Sequence, residues 1–210
     1  MAPRKRGFLF SGMPGHDAEG CLVRINWAEF YREIRECERC ALYRGRLNVV
    51  PGEGNPRARL MLIGEGPGQQ EDRMGRPFVG PSGELLTKML HAIGLERSEV
   101  YICNIVKCRP PKNRNPEPEE AQACLPFLRM QVALVRPKII VLLGKVACRW
   151  TLGEEISITR GHGVWHERKG VWFLPTFHPS ALLRDPAKKA DAWEDFQKLR
   201  EKMRELEGEP

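Results

Sequence analysis

An α/β fold built on a parallel sheet, with helices on both faces, is predicted by three features of this 210-residue sequence. Four short aliphatic runs, Arg59–Gly64, Val100–Ile105, Lys138–Gly144 and Val171–Thr176, lack the apolar–polar alternation of a half-exposed strand, so they suit strands buried on both faces. Between them stand helical patterns at Ser82–Ile93, Pro118–Val135 and Lys145–Leu152. Strands alternating with helices imply βαβ crossovers, which keep successive strands parallel.

In chain order, residues 1–26 carry Gly, Pro and mixed charge without a sustained period and are expected to form an extension. Trp27–Cys37 then places Trp27, Phe30, Tyr31 and Ile34 at three-and-four spacing, the stripe of an amphipathic helix. The strands and helices named above follow, and a polar helix from Pro186 to about Leu206 closes the domain, expected to span 27–206 with 207–210 as a tail. The length suffices for one real core. The longest apolar runs, Leu60–Ile63 and Ile139–Leu143, fall far short of the roughly 20 residues that span a bilayer. No membrane association is expected. Lys and Arg number 34 against 27 Asp and Glu, a net charge of +7 that favours a polyanionic partner.

An open parallel sheet binds ligands at the carboxyl ends of its strands. The segments there read GEGPGQQED, NIVKCRPP, GKVAC and TFHPSALLR. The glycines of the first permit close backbone approach to a ligand, and Ser82 stands where a helix N-cap would favour a phosphate. Glu65 and Glu71 could do charge work in a cleft. Phe78, in a Pro- and Gly-flanked loop, suits a stacking platform for a base. Asn104 offers donor and acceptor together, and His178 follows the last strand, so both would enter the cleft that holds Glu65.

Seven cysteines stand at 21, 37, 40, 103, 108, 124 and 148. The start, MAPRKRGFLF, has too short an apolar stretch for an export signal, so a reducing cytoplasm is expected and clustered thiols point to metal rather than disulfides. Cys37-x2-Cys40 and Cys108-x15-Cys124 supply two pairs, enough for a tetrahedral zinc or a cubane iron–sulfur cluster. The wide second pair is unlike a zinc knuckle and favours iron–sulfur. Cys103 and Cys148 suit packed core thiols.

The ordered set GEGPGQQEDRMGRPFVGPSG, NIVKCRPP and TFHPSALLR, with cysteines at CERC, KCRPP and QACLP, resembles the family 4 uracil-DNA glycosylases from about Trp27 to Met203. The resemblance implies a three-layer α/β/α sandwich with a central four-stranded parallel sheet, hydrolysis of the uracil N-glycosidic bond in DNA, and a [4Fe-4S] cluster on Cys37, Cys40, Cys108 and Cys124. Its uracil pocket corresponds to Glu65, Gly66, Pro67, Phe78, Asn104 and His178, with His178 facing uracil O2. The best-known branch of the superfamily has an Asp where Gly66 stands and a bulky aromatic where Gly68 stands. Glu65 or Glu71 therefore remain as candidates to direct water, and thymine exclusion is not legible in this loop. No basic insertion follows Asn104 before Pro118, so covalent capture of the abasic sugar is not expected. Phosphate contacts are expected from Ser82, Lys112, Arg114, Ser180 and Arg184, with Leu182 and Leu183 as candidates for a wedge in the gap left by the flipped base. The partner is uracil-containing DNA and the chain is expected to be a monomer; a contact of residues 1–26 with a replication clamp stays open. Two other readings keep the fold: a noncatalytic nucleic-acid-binding module with a structural metal, and a glycosylase for a deaminated purine.

Overall fold

Aliphatic side chains alternate to opposite faces along every central strand, and two apolar cores result. The computed structural model describes residues 26–153 and 156–208. Its first elements are α1 (Trp27–Arg35), β1 (Glu53–Gly54), β2 (Leu60–Gly64), α2 (Gln69–Met74), α3 (Pro81–Ala92) and β3 (Tyr101–Asn104). There follow α4 (Pro118–Val135), β4 (Ile139–Leu143), α5 (Lys145–Leu152), α6 (Ile158–Gly161), β5 (His166–Arg168), β6 (Val171–Thr176), α7 (Pro179–Arg184) and α8 (Lys189–Gly208).

The sheet runs β1-β3-β2-β4-β6-β5. Its four inner strands are parallel, as expected: Leu62 stands beside Ile102 on one side and Val141 on the other, and Val141 beside Leu174. The two outer strands are additions to the predicted four. Both are antiparallel, β1 on β3 and β5 on β6, so the sheet is mixed with a parallel core.

Met61, Ile63, Tyr101, Cys103, Ile140, Leu142 and Phe173 face one core, which α1, α4 and α5 close with Phe30, Ile34, Phe127, Leu128 and Ala147. Leu60, Leu62, Ile102, Val141, Leu143 and Leu174 face the other, closed by Leu86 and Leu90 of α3 and by Phe196 and Leu199 of α8. This is the period-2 alternation of a pleated strand acting in a sheet wet on neither face.

The predicted boundaries shift slightly. Asn26, assigned to the extension, is the N-cap of α1, its side chain accepting from the Glu29 N–H at 2.9 Å; the rest of the extension lies outside the described residues. At the other end α8 continues to Gly208, two residues into the expected tail. No described helix is long and apolar enough to cross a membrane.

β2 lies at the point where the chain order turns back, with β3 on one flank and β4 on the other. A doubly covered sheet opens a crevice at such a point, beyond the carboxyl ends of the strands.

Candidate active site

That crevice is a cleft lined by Glu65, Phe78, Asn104, Lys145, His178 and Arg184, among others. Four different strand ends supply it. Glu65 follows β2, Asn104 ends β3, Lys145 opens the helix after β4, and His178 stands between β6 and α7.

Asn104 is 2% exposed, and among the described residues its Oδ1 has no hydrogen-bond partner. A buried amide acceptor left unpaired costs about 1–3 kcal/mol, so its persistence calls for a ligand donor. Gly64 makes room for it. A Cβ at Gly64 would stand 2.4 Å from Asn104 Oδ1 and 2.6 Å from Phe78 Cζ. Gly64→Ala is therefore expected to drive both groups out of register and lower activity at least about a hundredfold, with the circular dichroism spectrum and thermal midpoint checking that the fold persists.

Phe78 is 6% exposed and its ring lies 5.6 Å from that of His178, tilted by 33°. Its backbone has φ +52°, a left-handed conformation unusual for a bulky residue and strained by roughly 1–3 kcal/mol. Two side chains hold it there. Arg97 donates to the carbonyls of Pro77 at 2.9 Å and Phe78 at 3.1 Å, and is itself paired with Glu53 of β1. From the other side, Glu71 accepts from the N–H groups of Val79 at 3.0 Å, Gly80 at 2.9 Å and Gly68 at 3.1 Å. Glu71 thus ties the first motif to the Phe78 loop, and its two oxygens are committed to backbone donors.

Glu65 differs. Among the described residues no hydrogen bond holds its carboxylate; burial raises its pKa above the usual glutamate value, while Lys145 and Arg184 pull it back. Gly66 follows in a spot where a Cβ would meet Val106 Cγ2 at 2.8 Å, which disfavours a side chain such as Asp at this place. Pro67 lines the same wall.

His178 Nδ1 accepts the backbone N–H of Ser180 at 3.2 Å and lies 2.8 Å from Ser180 Oγ. Because a backbone N–H can only donate, a neutral ring must carry its single proton on Nε2. The ring is neutral: burial, and then the charge of Arg184, lower its pKa to about 4.

Several expected DNA contacts are placed differently. Ser82 is not the cap of α3; Gly80 is, followed by Pro81, and Ser82 lines the cleft from the first turn. Ser180 is engaged with His178. Arg114 reaches the cleft but forms a two-pronged pair with Glu120 at 2.7 and 2.8 Å, which absorbs its charge. Lys112 is exposed on a turn outside the cleft lining, and Arg184 is exposed on its rim. Leu182 cannot act as a wedge: it is 1% exposed and packs with Phe177 and Ala192, whereas Leu183 is 44% exposed. Lys145 went unnoticed in the sequence because GKVAC matches no phosphate-binding motif.

On the sheet face opposite α3, Cys37, Cys40, Cys108 and Cys124 line one cavity with Leu42, Val106 and Phe127. Burial raises the pKa of Cys40 and Cys108, and pushes Cys124 up to about 12. Thiols so buried become thiolates only against strong positive charge, which a metal group supplies. Arg46 donates to Cys108 Sγ at 3.4 Å and to the Cys37 carbonyl at 2.8 Å. Among the described residues, no three Cys, His, Asp or Glu side chains stand close enough to grip a single ion. Four thiols around one cavity are the donor set that a metal group requires, whether a single zinc or a cubane iron–sulfur cluster.

Residues 51–198 match the family model described as the uracil DNA glycosylase superfamily. Over 178 residues the chain is 47% identical to the type-4 uracil-DNA glycosylase of Sulfurisphaera tokodaii, covering 80% of this chain and 81% of that protein. It is 50% identical over 156 residues to that of Thermotoga maritima, covering 72% and 80%. With the type-4 enzyme of Archaeoglobus fulgidus it shares 41% identity over 181 residues, 82% of this chain and 91% of that protein. A parallel-cored sheet, a cleft at its switch point and these matches over most of both chains agree, and the protein belongs to the type-4 uracil-DNA glycosylases of the uracil DNA glycosylase superfamily.

Proposed function

We propose that residues 27–206 excise uracil from DNA as a monomer, leaving an abasic site for base-excision repair. The observation that carries this reading is the unpartnered Oδ1 of Asn104, buried at the bottom of a strand-end cleft beside Phe78. Uracil presents an N3–H donor to such an acceptor and O4 to the amide NH2. Cytosine presents an acceptor at N3 and a donor at C4, leaving the Asn104 amide mismatched at both atoms.

In the reaction the N1–C1′ bond breaks, water oxygen bonds to C1′, and its proton ultimately balances the departing uracil anion. Phe78 stacks on the flipped base. The Nε2–H of His178 donates to O2 as charge builds there, a contribution of the oxyanion-hole kind worth roughly 2.7–4 kcal/mol. Glu65, with its carboxylate unclaimed, orients the water and faces the positive sugar. Glu71 holds the loop that carries Phe78. Lys145, Arg184 and Ser82 at the rim receive phosphates, and Leu183 is the wedge that occupies the vacated stack. Extrusion costs least from single strands and mismatches, so these are the preferred substrates.

Cys37, Cys40, Cys108 and Cys124 would hold a [4Fe-4S] cluster that cross-links the segment after α1 to α4 and the turn before it. The test is release of free uracil from a single-stranded oligonucleotide with one deoxyuridine, using protein purified without oxygen and scanned for visible cluster absorbance. Uracil release with thymine and cytosine untouched is expected. Release of hypoxanthine or xanthine instead, or no release from cluster-loaded protein, would overturn it.

A further inference from the structure

Lys107 is 1% exposed, lies between the two functional regions and was not singled out by its sequence. An ammonium ion buried so completely costs several kcal/mol unless it is paired and hydrogen-bonded. Its Nζ donates to the backbone carbonyl of Asn104 at 2.6 Å and to the Cys103 thiol. Neither is an anion. Among the described residues no carboxylate pairs with it, and Glu120, which acts on Cys40, is already held by Arg114.

On the other side of Lys107 lies the four-cysteine cavity. Lys107 lines the cavity shared by Cys37, Cys40, Cys108 and Cys124, its backbone N–H donates to Cys124 Sγ, and its positive charge acts on that sulfur. Its own carbonyl accepts from the Val50 N–H at 2.8 Å, which pins the backbone while the side chain points back to β3. A cubane core with four thiolates is a dianion at rest. Arg46 donates to Cys108 Sγ from the half-exposed side, and Lys107, within the core, is a second positive charge acting on Cys124.

We propose that Lys107 is a positioning residue that couples the iron–sulfur site to base recognition: the cluster's negative charge holds its ammonium in the core, and the ammonium holds the carbonyl of Asn104, the residue that reads uracil. This rests on the cluster and uracil readings above. It gives the cluster a task beyond cross-linking. Loss of the dianion would leave Lys107 as an unpaired buried cation, and relief of that cost would pull on the end of β3.

The experiment compares anaerobically purified wild-type protein with Lys107→Met and Lys107→Gln. Iron and sulfide content, the cluster's midpoint potential by spectroelectrochemistry, and kcat and KM for uracil release from a single-stranded oligonucleotide are measured. Absence of cluster or uracil release in wild-type protein would defeat the underlying reading and is seen before any variant is scored. Given both, Lys107→Met is expected to keep its iron, shift the potential to more negative values because a cation near the cluster is gone, and lower kcat roughly tenfold to a hundredfold at similar KM. Lys107→Gln keeps a donor for the Asn104 carbonyl without the charge, so it should share the shifted potential while recovering part of kcat. An unchanged potential or an unchanged kcat in iron-loaded Lys107→Met would overturn the coupling. So would loss of iron from both variants with no change in the kcat of the remaining loaded fraction.

Discussion

His178→Ala is expected to lower the rate of uracil release about a hundredfold to a thousandfold while leaving affinity for uracil-containing DNA within a few fold. The split follows from where the ring stands. Its Nδ1 accepts from the Ser180 N–H, which leaves Nε2–H as its one remaining polar atom, and in the proposed reaction that group meets charge that develops only as the glycosidic bond breaks. In the same proposal DNA affinity rests on phosphate contacts elsewhere on the rim. Single-turnover release paired with binding to the same oligonucleotide checks both halves. Equal loss of rate and affinity would make His178 a binding group instead.

The same ring sets an expectation for pH. A second proton enters His178 only as pH falls through about 4, below the ordinary value of 6.5. Its donor state therefore persists through the neutral range, and no limb of the rate profile near pH 6.5 should belong to it. Burial holds the Glu65 carboxyl above its usual glutamate value. If ionised Glu65 directs water, the rate climbs as pH rises through that raised value, and Glu65→Gln removes the limb along with most of the activity. Depression of the His178 pKa also links to stability: its contribution is complete above about pH 6.5 and is lost as pH falls toward 4.

Asn104→Ala is the second large effect. A site built to hydrogen-bond its substrate rejects a mismatched analogue by about 10⁴–10⁵. Removing the amide deletes both the reward for uracil and the penalty for cytosine. Release of uracil should fall at least about a hundredfold, and the ratio of uracil to cytosine release should collapse with it. Parallel assays on matched deoxyuridine and deoxycytidine oligonucleotides test this. A retained ratio would place discrimination on another group.

What the sequence revealed, and what it hid, divides along physical lines. The four parallel strands were legible because burial on both faces leaves an unbroken aliphatic run, and Pro118–Val135 and Lys145–Leu152 match their helices residue for residue. β1 and β5, at two and three residues, are too short to carry a period. α2 and α7 were hidden in segments whose Gly and Pro content reads as loop. Within the cleft, residue types announced Asn104 and His178, since few structural needs put both at strand ends. Orientation was not announced: Leu182 and Leu183 are chemically alike, and only the turn of α7 sends one inward. Charge was the hardest to read. Arg114, Lys107 and Lys145 are three cations in similar company, yet one is neutralised by Glu120, one is sealed in the core and one is exposed at the cleft.

The short outer strands have a bearing on how the protein behaves in a crowded cell. A sheet with a long bare margin invites another chain to extend it, which is the first step toward aggregation. Here one margin is Glu53–Gly54, whose glutamate is engaged by Arg76 and Arg97, and the other is His166–Arg168, three polar residues. Neither offers a template long or apolar enough to recruit a neighbour. The parallel core, slow to form and sticky while incomplete, is thus shielded at both sides once folded, and the protein can be concentrated without its own strands becoming the competing partner.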